Sequence, residues 1–305
     1  MAVRVLFMGT PDYAAEILRR LAALPGVELR VVTKPDAPIG RRQRMTPSAV
    51  AAAAARLSLP TDKPGRLADM RSAWHAFLPN LLVTAAYGRI LPPWLLALPV
   101  SGAYNLHASL LPRWRGPNPI AWAIRAGDAV SGVTLMEMDA GVDTGPIVAQ
   151  SSLAVDQTDT TGSLSERLAK AAGELLVREW PRLLAKTTAS ETQAAEGVSY
   201  APKFLAEDLR IDWSRDALGI SRQVRSMMPE PGAYTAGPKQ RIKILEAVAE
   251  AGCKTPGRAS LDGNDWLVGT GDGLLRVVRI QPAGRPAMSP GDYMRGLRTA
   301  QLVFL

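Results

Sequence analysis

The first half of the sequence alternates short apolar runs with helical segments, and this alternation constrains the fold more than any other feature. Residues 3–8 (VRVLFM) form an apolar run with β-branched side chains, as expected of a buried parallel strand. Thr10 and Pro11 suit the cap and first position of a helix over residues 11–24. The order then recurs, with strands expected at 27–32, 80–88, 102–109 and 132–139 and helices at 47–57, 66–77, 118–126 and 160–186. Repeated β-α units predict a doubly wound, mostly parallel α/β sheet with right-handed crossovers.

The pattern changes after residue 186. Residues 187–204 are small and polar, which is typical of a linker. One helix is expected at 215–227, and the other apolar runs there are short strands separated by Gly, Asp and Pro, which favours a small β-barrel or sandwich. Because 305 residues exceed what one core usually supports, we expect a first domain at 1–186, a linker at 187–204 and a second domain at 205–305.

The composition limits the chemistry. The chain has 36 Lys and Arg against 28 Asp and Glu, a net charge of +8, which fits an anionic partner such as nucleic acid but equally a basic protein without one. The single cysteine, Cys253, excludes an intramolecular disulfide and a cysteine-based metal cluster. With only His75 and His107 available as imidazole ligands, we expect no metal. The sequence has no apolar run of 18 residues and no leader pattern, so no membrane association and a cytoplasmic location are expected.

One predicted strand offers a reaction centre. Asn105 and His107 are two residues apart, so an extended chain directs both side chains to the same face and Leu106 to the other. An amide and an imidazole side by side can donate hydrogen bonds to an oxygen that gains negative charge in a transition state. Histidine also carries a proton near neutral pH. The alternative is a buried histidine with a purely structural role.

Two loops follow that strand. Residues 109–119 (SLLPRWRGPNP) contain too many prolines for regular structure and are either a binding loop at the strand end or a rigid surface loop. Residues 138–147 (MDAGVDTGPI) predict a tight loop at the same edge of the sheet. Asp143 in this loop is placed to reach His107, where a carboxylate would orient the imidazole and stabilise its protonated form, unless it is only a turn residue.

A basic segment precedes both loops. Residues 33–47 (TKPDAPIGRRQRMTP) carry Lys34, Arg41, Arg42 and Arg44 against one acid, Asp36. A basic loop at a strand end suits contacts with phosphate groups. The alternative is a solvated charged loop.

Taken together and in this order, these segments resemble the methionyl-tRNA formyltransferase family of folate-dependent formyltransferases. The resemblance runs from about residue 3 to about residue 300. It is carried by GTPDYA (9–14), KPDAPIGRRQRMTPSAV (34–50), AYGRILP (86–92), NLHASLLPRWRGPNPI (105–120), AGDAVSGVTLMEMDAGVDTGPI (126–147), IDWS (211–214) and TGDGLLRVVRIQPAGRPAMS (270–289).

The resemblance implies a formyltransferase domain of the doubly wound type followed by a barrel like an OB-fold. It implies 10-formyltetrahydrofolate as the formyl donor, methionyl-initiator tRNA as the acceptor, a monomeric enzyme and no metal. The family's catalytic residues fall on Asn105, His107 and Asp143. Its folate contacts fall on Ser109, Leu110, Leu111 and Pro112 and, near the pterin, on Tyr87, Gly88 and Ile90. Its tRNA-binding loop falls on about residues 38–45, with Lys34, Arg41, Arg42 and Arg44 as the basic contacts.

Two other functions remain open at this point. The first is a related folate-dependent formyltransferase that acts on a small amine substrate. The second is an RNA-binding protein with an inactive formyltransferase-like domain. The basic loop and the C-terminal barrel argue against the first, and the intact set of Asn105, His107 and Asp143 argues against the second.

Overall fold

The computed structural model describes residues 2–40, 43–297 and 301–304 and divides the chain into two compact units. The first comprises Met1–Pro119, Val130–Ala154 and Ser165–Ala201, and the second comprises Ile120–Ala129, Val155–Leu164 and Pro202–Leu305. This division differs from the predicted boundaries, since most of the segment expected to be a linker belongs to the first unit.

The first unit is built on a seven-stranded sheet and a separate hairpin. Its strands are β1 (Val3–Gly9), β2 (Val27–Val32), β3 (Ala37–Ile39), β4 (Arg44–Thr46), β5 (Thr61–Asp62), β6 (Leu81–Ala85), β7 (Ala103–His107), β8 (Val130–Glu137) and β9 (Ile147–Ala154). The order in the large sheet is β5-β2-β1-β6-β7-β8-β9. The first five strands in this order are parallel to one another. Strand β8 is antiparallel to β7, and β9 is antiparallel to β8. The predicted mostly parallel, doubly wound sheet is therefore confirmed.

Five helices lie between these strands along the chain and a sixth follows β9, and nearly all of the fifth and the first turn of the sixth belong to the second unit. They are α1 (Asp12–Ala22), α2 (Ala49–Arg56), α3 (Arg71–Phe77), α4 (Pro93–Leu96), α5 (Pro119–Ala126) and α6 (Thr161–Ala185). In α1 the buried side chains Ile17, Leu18 and Leu21 recur at helical spacing, which gives the helix one apolar face toward the sheet. The Ser48 hydroxyl accepts the Ala51 N–H at 3.0 Å and caps α2.

Strand β6 shows why a parallel sheet forms. All five of its residues are buried, as expected when helices cover both faces. Leu82 is fully buried and packs in a core cluster with Leu6, Met8 and Trp74. Because β1, β6 and β7 are parallel, Gly9, Ala85 and His107 all lie at the carboxyl edge of the sheet. Ligands of open α/β sheets bind outside this edge.

Three elements of the first unit differ from the sequence prediction. Strand β9 was not expected, since its residues alternate between partly buried and exposed and none is buried. Helix α4 has only four residues, begins at Pro93 and follows Pro92. The basic loop contains a short antiparallel hairpin in which Pro38 pairs with Met45 and Ile39 with Arg44. These elements are too short or too polar to produce a clear periodic pattern.

The second unit carries a six-stranded antiparallel sheet. Its elements are α7 (Ala217–Ser226), β10 (Tyr234–Ala236), β11 (Arg241–Glu250), β12 (Arg258–Asp262), β13 (Asp265–Gly269), β14 (Leu274–Pro282), α8 (Pro290–Leu297) and β15 (Gln301–Val303). The strand order is β10-β11-β14-β13-β12-β15. A register shift between Ile244 and Ala247 bends β11, and the sheet curls into a half-barrel of the OB type, as predicted.

The inner face of this sheet alternates as the sequence pattern requires. Ile242 and Ile244 on β11 are fully buried and pack with Trp266 on β13 and Val277 on β14. Strands β12 and β15 and helix α8 were not expected, because their sequences are short and interrupted by polar residues. Among the described residues, no helix is both long enough and apolar enough to cross a membrane.

The core of the first unit predicts a matched pair of stability effects. Leu82→Ala should destabilise the protein by about 2–5 kcal/mol, because it leaves a cavity in a packed cluster. Val100→Ala removes a side chain that is 65% exposed and should change stability by less than about 0.5 kcal/mol. Denaturation followed by circular dichroism measures both, and equal midpoints for the two variants would contradict this assignment of the core.

Candidate active site

The reaction centre predicted from the sequence is built on β7. Asn105 and His107 project from the same face of this strand, and both lie within 3.5 Å of a single oxygen, Oδ1 of Asp143. The intervening residue, Leu106, is buried on the opposite face. The structure therefore brings the three predicted catalytic residues together, at the carboxyl edge of the sheet.

The loop that carries Asp143 does not begin at that edge, contrary to the sequence prediction. Strand β8 is antiparallel to β7, so its last residue, Glu137, pairs with Tyr104 near the start of β7. The Met138 N–H then donates to the Ala103 carbonyl at 2.9 Å. The loop reaches Asn105 and His107 by folding back toward them. An antiparallel partner strand reverses the expected direction, and the spacing of residues alone did not reveal this reversal.

One close approach, one backbone angle and one hydrogen bond shape this loop. A Cβ atom on Gly145 would lie 1.9 Å from the Glu137 carbonyl oxygen, so only glycine fits. Asp143 itself has a φ of 55°, in the left-handed region that aspartate tolerates better than most residues. The Asp139 carboxylate accepts the Thr144 hydroxyl at 2.8 Å. These features turn the Asp143 side chain toward β7.

The two oxygens of the Asp143 carboxylate have different surroundings. Oδ2 accepts the Gly116 N–H at 2.8 Å, a short bond that fixes the carboxylate. Oδ1 faces Asn105 Nδ2 at 3.5 Å and His107 Nδ1 at 3.5 Å. Both of these distances exceed those of good N–H···O hydrogen bonds. The Asp143 side chain is 15% exposed and that of His107 is 7% exposed, so the contacts are largely screened from water.

The imidazole of His107 is held through its other nitrogen. Nε2 lies 2.9 Å from the carbonyl oxygen of Trp114. Because a carbonyl oxygen only accepts hydrogen bonds, Nε2 carries a proton in this arrangement. The other ring nitrogen, Nδ1, faces Asp143. Trp114 has a φ of 63°, which orients this part of the loop.

The loop over residues 109–116 is anchored by its own polar groups. The Ser109 hydroxyl donates to the Arg113 carbonyl at 2.6 Å. Thr134 on β8 donates to the Ser109 carbonyl at 2.7 Å and accepts the Leu111 N–H at 3.0 Å. Ser109 is 1% exposed and Leu111 is 3% exposed, so their side chains face the protein, whereas Leu110 and Pro112 are partly exposed. Of the four folate contacts predicted in this loop, only Leu110 and Pro112 present side chains to solvent.

A second set of contacts comes from residues 187–201, which the sequence predicted as a linker. Gln193 is buried, and its Nε2 donates to the carbonyl oxygens of Asp143 at 2.9 Å and Gly145 at 2.8 Å. Its Oε1 accepts from Arg115 Nε at 3.1 Å and Nη2 at 2.7 Å. The Ser199 hydroxyl accepts the Trp114 N–H at 3.0 Å. This segment therefore connects the loop of Asp143 to the loop of Trp114, and no sequence motif marked it.

The remaining predicted folate contacts follow β6. Thr10, directly after β1, donates to the Tyr87 carbonyl at 3.2 Å. Tyr87 is 4% exposed and burial raises the pKa of its phenol, whereas Ile90 is 82% exposed, an unusual environment for an apolar side chain. A Cβ atom on Gly88 would lie 2.8 Å from the Lys34 ammonium nitrogen. Lys34 was predicted to bind tRNA, and the structure places it beside these residues.

The other predicted tRNA contacts lie on or near the hairpin. Arg44 is exposed on β4, and its neighbour Met45 is 61% exposed. Arg41 and Arg42 lie outside the described residues. The predicted basic loop thus contains the hairpin of β3 and β4. Gly40 and Gln43 flank the two undescribed arginines in the sequence, and Gln43 Nε2 donates to the Gly40 carbonyl.

The outer face of the second unit's sheet carries further basic residues. Arg276 contacts three carboxylates, those of Glu250, Asp262 and Asp265, at 2.5, 2.7 and 3.4 Å. The Lys243 ammonium lies 3.3 Å from Glu230. Arg276 is therefore neutralised within the sheet, whereas Arg241 and Arg279 are exposed. Over the described ranges, no group of three or more His, Cys, Asp or Glu side chains is arranged to hold a metal ion.

Comparison with protein-family models gives two matches. Residues 1–179 match the model described as formyl transferase, and residues 203–298 match formyl transferase, C-terminal domain. The methionyl-tRNA formyltransferase of Magnetococcus marinus is 40% identical over 298 residues, which cover 97% of this chain and 96% of that protein.

Solved structures share the fold at lower identity. HypX from Aquifex aeolicus has a TM-score of 0.71 at 17% identity, and the match covers 98% of this chain but 48% of HypX, so this chain spans about half of that protein. An N-formyltransferase from Helicobacter canadensis, in complex with folinic acid and dTDP-3-aminofucose, has a TM-score of 0.70 at 18% identity over 92% of this chain. The family models and the close relative agree over nearly the whole sequence, and the chain belongs to the formyl transferase family, among the methionyl-tRNA formyltransferases.

Proposed function

We propose that this protein transfers the formyl group of 10-formyltetrahydrofolate to the α-amino group of methionyl-initiator tRNA, for the initiation of translation. The observation that carries the proposal is the convergence of Asn105 Nδ2 and His107 Nδ1 on one oxygen of Asp143. Two donors and one carboxylate at the carboxyl edge of the sheet are the groups that acyl transfer to an amine requires.

The proposed chemistry uses no group beyond these side chains and the two substrates. The α-amino nitrogen attacks the formyl carbon on N10 of the folate, a C–N bond forms, and the carbonyl electrons move onto oxygen. Asp143 accepts the proton that the amine loses. When the tetrahedral oxyanion collapses, the bond to N10 breaks and N10 takes up the proton that Asp143 accepted, which releases formylmethionyl-tRNA and tetrahydrofolate and restores the carboxylate.

Asn105 and His107 stabilise the oxyanion in this mechanism. At 3.5 Å from Asp143 Oδ1, neither donor is engaged in a short hydrogen bond with the carboxylate, so each is able to donate to a substrate oxygen. The bond from Nε2 to the Trp114 carbonyl keeps the ring oriented with Nδ1 toward Asp143.

The folate is proposed to bind along the carboxyl edge between β6 and the loop after β7. The exposed side chain of Ile90 and the partly exposed Leu110 and Pro112 supply apolar surface there. Ser109, Leu111 and Tyr87 act by shaping this edge, because their side chains are buried. At Gly88, the absence of a side chain leaves room for Lys34, whose ammonium suits an anionic group of either substrate.

The tRNA is proposed to bind through its phosphates. The hairpin carrying Arg44, together with Arg41 and Arg42, contacts the acceptor end, and the half-barrel unit contacts the body of the tRNA. The division into a catalytic domain at 1–186, a linker at 187–204 and a tRNA-binding domain at 205–305 remains a prediction. So do the monomeric state and the cytoplasmic location.

Replacement of the proposed oxyanion donors should reduce turnover much more than binding. Asn105→Ala and His107→Ala should each lower kcat by about 10²–10³-fold, the usual effect of removing one such donor. Single-turnover formylation of charged initiator tRNA measures kcat, and filter binding measures tRNA affinity, which should stay within about twofold of the wild type.

His75→Ala is the control, since His75 is exposed on α3 and stacks on Trp94. Its kcat should equal that of the wild type. Wild-type turnover with a small amino sugar but none with charged tRNA would contradict the proposed acceptor, and near-normal turnover of His107→Ala would contradict the proposed catalytic role.

The phosphate contacts predict a charge-dependent effect on tRNA binding. Arg44→Ala should raise the KM for tRNA and leave kcat at saturation unchanged. The slope of log affinity against log salt concentration should decrease in magnitude by about 0.7–0.9, because one phosphate contact is lost. Arg56→Ala removes another exposed arginine, at the end of α2, and should leave the slope unchanged. Equal slopes for the wild type and Arg44→Ala would contradict the role of the hairpin.

A further inference from the structure

Thr84 lies directly opposite Asn105 in the sheet. The two residues are register partners on the parallel strands β6 and β7, and their side chains meet on the same face. Thr84 is 3% exposed and is the one polar residue in a strand that otherwise reads Leu, Leu, Val and Ala. A hydroxyl at such a position requires a hydrogen-bond partner, which makes the identity of that partner informative.

The Thr84 hydroxyl has its closest contact with the Asn105 side chain. Its Oγ1 lies 2.8 Å from Asn105 Oδ1, against 3.3 Å from the Tyr104 carbonyl and 3.3 Å from Met138 Sδ. The hydroxyl has a single hydrogen, and the shortest contact, with an amide oxygen, is the strongest of the three. Thr84 therefore donates to Asn105 Oδ1.

The opposite end of the same amide supports this orientation. With Oδ1 bound to Thr84, Nδ2 faces Asp143 Oδ1 at 3.5 Å, so a donor meets a carboxylate. If the amide rotated by 180°, its oxygen would face the carboxylate oxygen, and two acceptors would be adjacent in a largely buried site. Thr84 and Asp143 thus favour the same orientation from opposite sides.

We infer that Thr84 is a positioning residue that holds the Asn105 amide with its N–H groups, and not its oxygen, directed at the reacting oxygen of the substrate. This inference rests on the proposed function and deepens it. Asn105 is useful to an oxyanion only as a donor, and in the rotated orientation it would present an acceptor to a developing negative charge. Thr84 acts through Asn105 and contacts neither substrate.

Three variants separate this role from a structural one. Thr84→Val keeps the shape of the side chain and removes the hydroxyl. Its kcat should fall roughly 3- to 10-fold, the size of one ordinary hydrogen bond, with the KM values for folate and tRNA unchanged. Thr84→Ser restores the hydroxyl and should recover most of the kcat. Thr235→Val is the matched control, a fully buried threonine of the second unit whose hydroxyl accepts the Trp213 indole N–H.

The decisive measurement is a double-mutant cycle. In an Asn105→Ala background, Thr84→Val should cause no further loss of kcat, since the group through which it acts is absent. A loss of the same size in both backgrounds would overturn the inference, and so would a kcat for Thr84→Val equal to that of the wild type. Circular dichroism melting of each variant confirms that the compared proteins are folded. Absence of formylation by the wild type itself would instead contradict the proposed function.

Discussion

The carboxylate of Asp143 is the group on which the arrangement of the reaction centre depends. One of its oxygens is fixed by the Gly116 amide at 2.8 Å, and the other faces both Asn105 and His107. Two side chains of one strand are thereby directed at a common point. Removing the negative charge would leave Asn105 Nδ2 and His107 Nδ1 without the carboxylate that they face, in a site with little access to water.

Three segments that are distant in sequence hold this carboxylate in place. The loop after β8 supplies it, the loop after β7 supplies the Gly116 amide and the Trp114 carbonyl, and Gln193 bonds to the backbone on both sides of Thr144. Because Gln193 also accepts from Arg115, one buried amide side chain connects the two loops. A reaction centre built from loops gains its rigidity from such supporting contacts, which fix side chains that a single loop would leave mobile.

Much of the fold follows from the sequence because burial imposes a pattern on it. The strands β1 and β6 are mainly apolar runs of the length that a covered parallel sheet requires, and the prediction of a doubly wound sheet is confirmed. Strand β9 and the hairpin of β3 and β4 escaped prediction since neither buries a full face. The OB-type half-barrel was suggested by short strands between turn residues, but β12, β15 and α8 are too short and polar to be recognised that way.

The site was accessible from the sequence only in part. The alternation in β7 places Asn105 and His107 together, and a motif marks Asp143, but the antiparallel direction of β8 was not visible, so the path of the Asp143 loop was predicted wrongly. Thr84 and Gln193 belong to no sequence motif, because their roles depend on hydrogen bonds with residues that are distant in sequence. Lys34 was assigned by charge to the tRNA loop, whereas the structure places it over Gly88.

The central claim is that the fold fixes the His107 imidazole by Nε2 and directs Nδ1 at Asp143. The chain has only two histidines, so NMR of protein labelled with ¹⁵N in its histidine rings, with His75→Gln to assign the signals, tests this directly. The structure predicts that neutral His107 carries its proton on Nε2, which donates to the Trp114 carbonyl. A neutral His107 with its proton on Nδ1 would contradict the account.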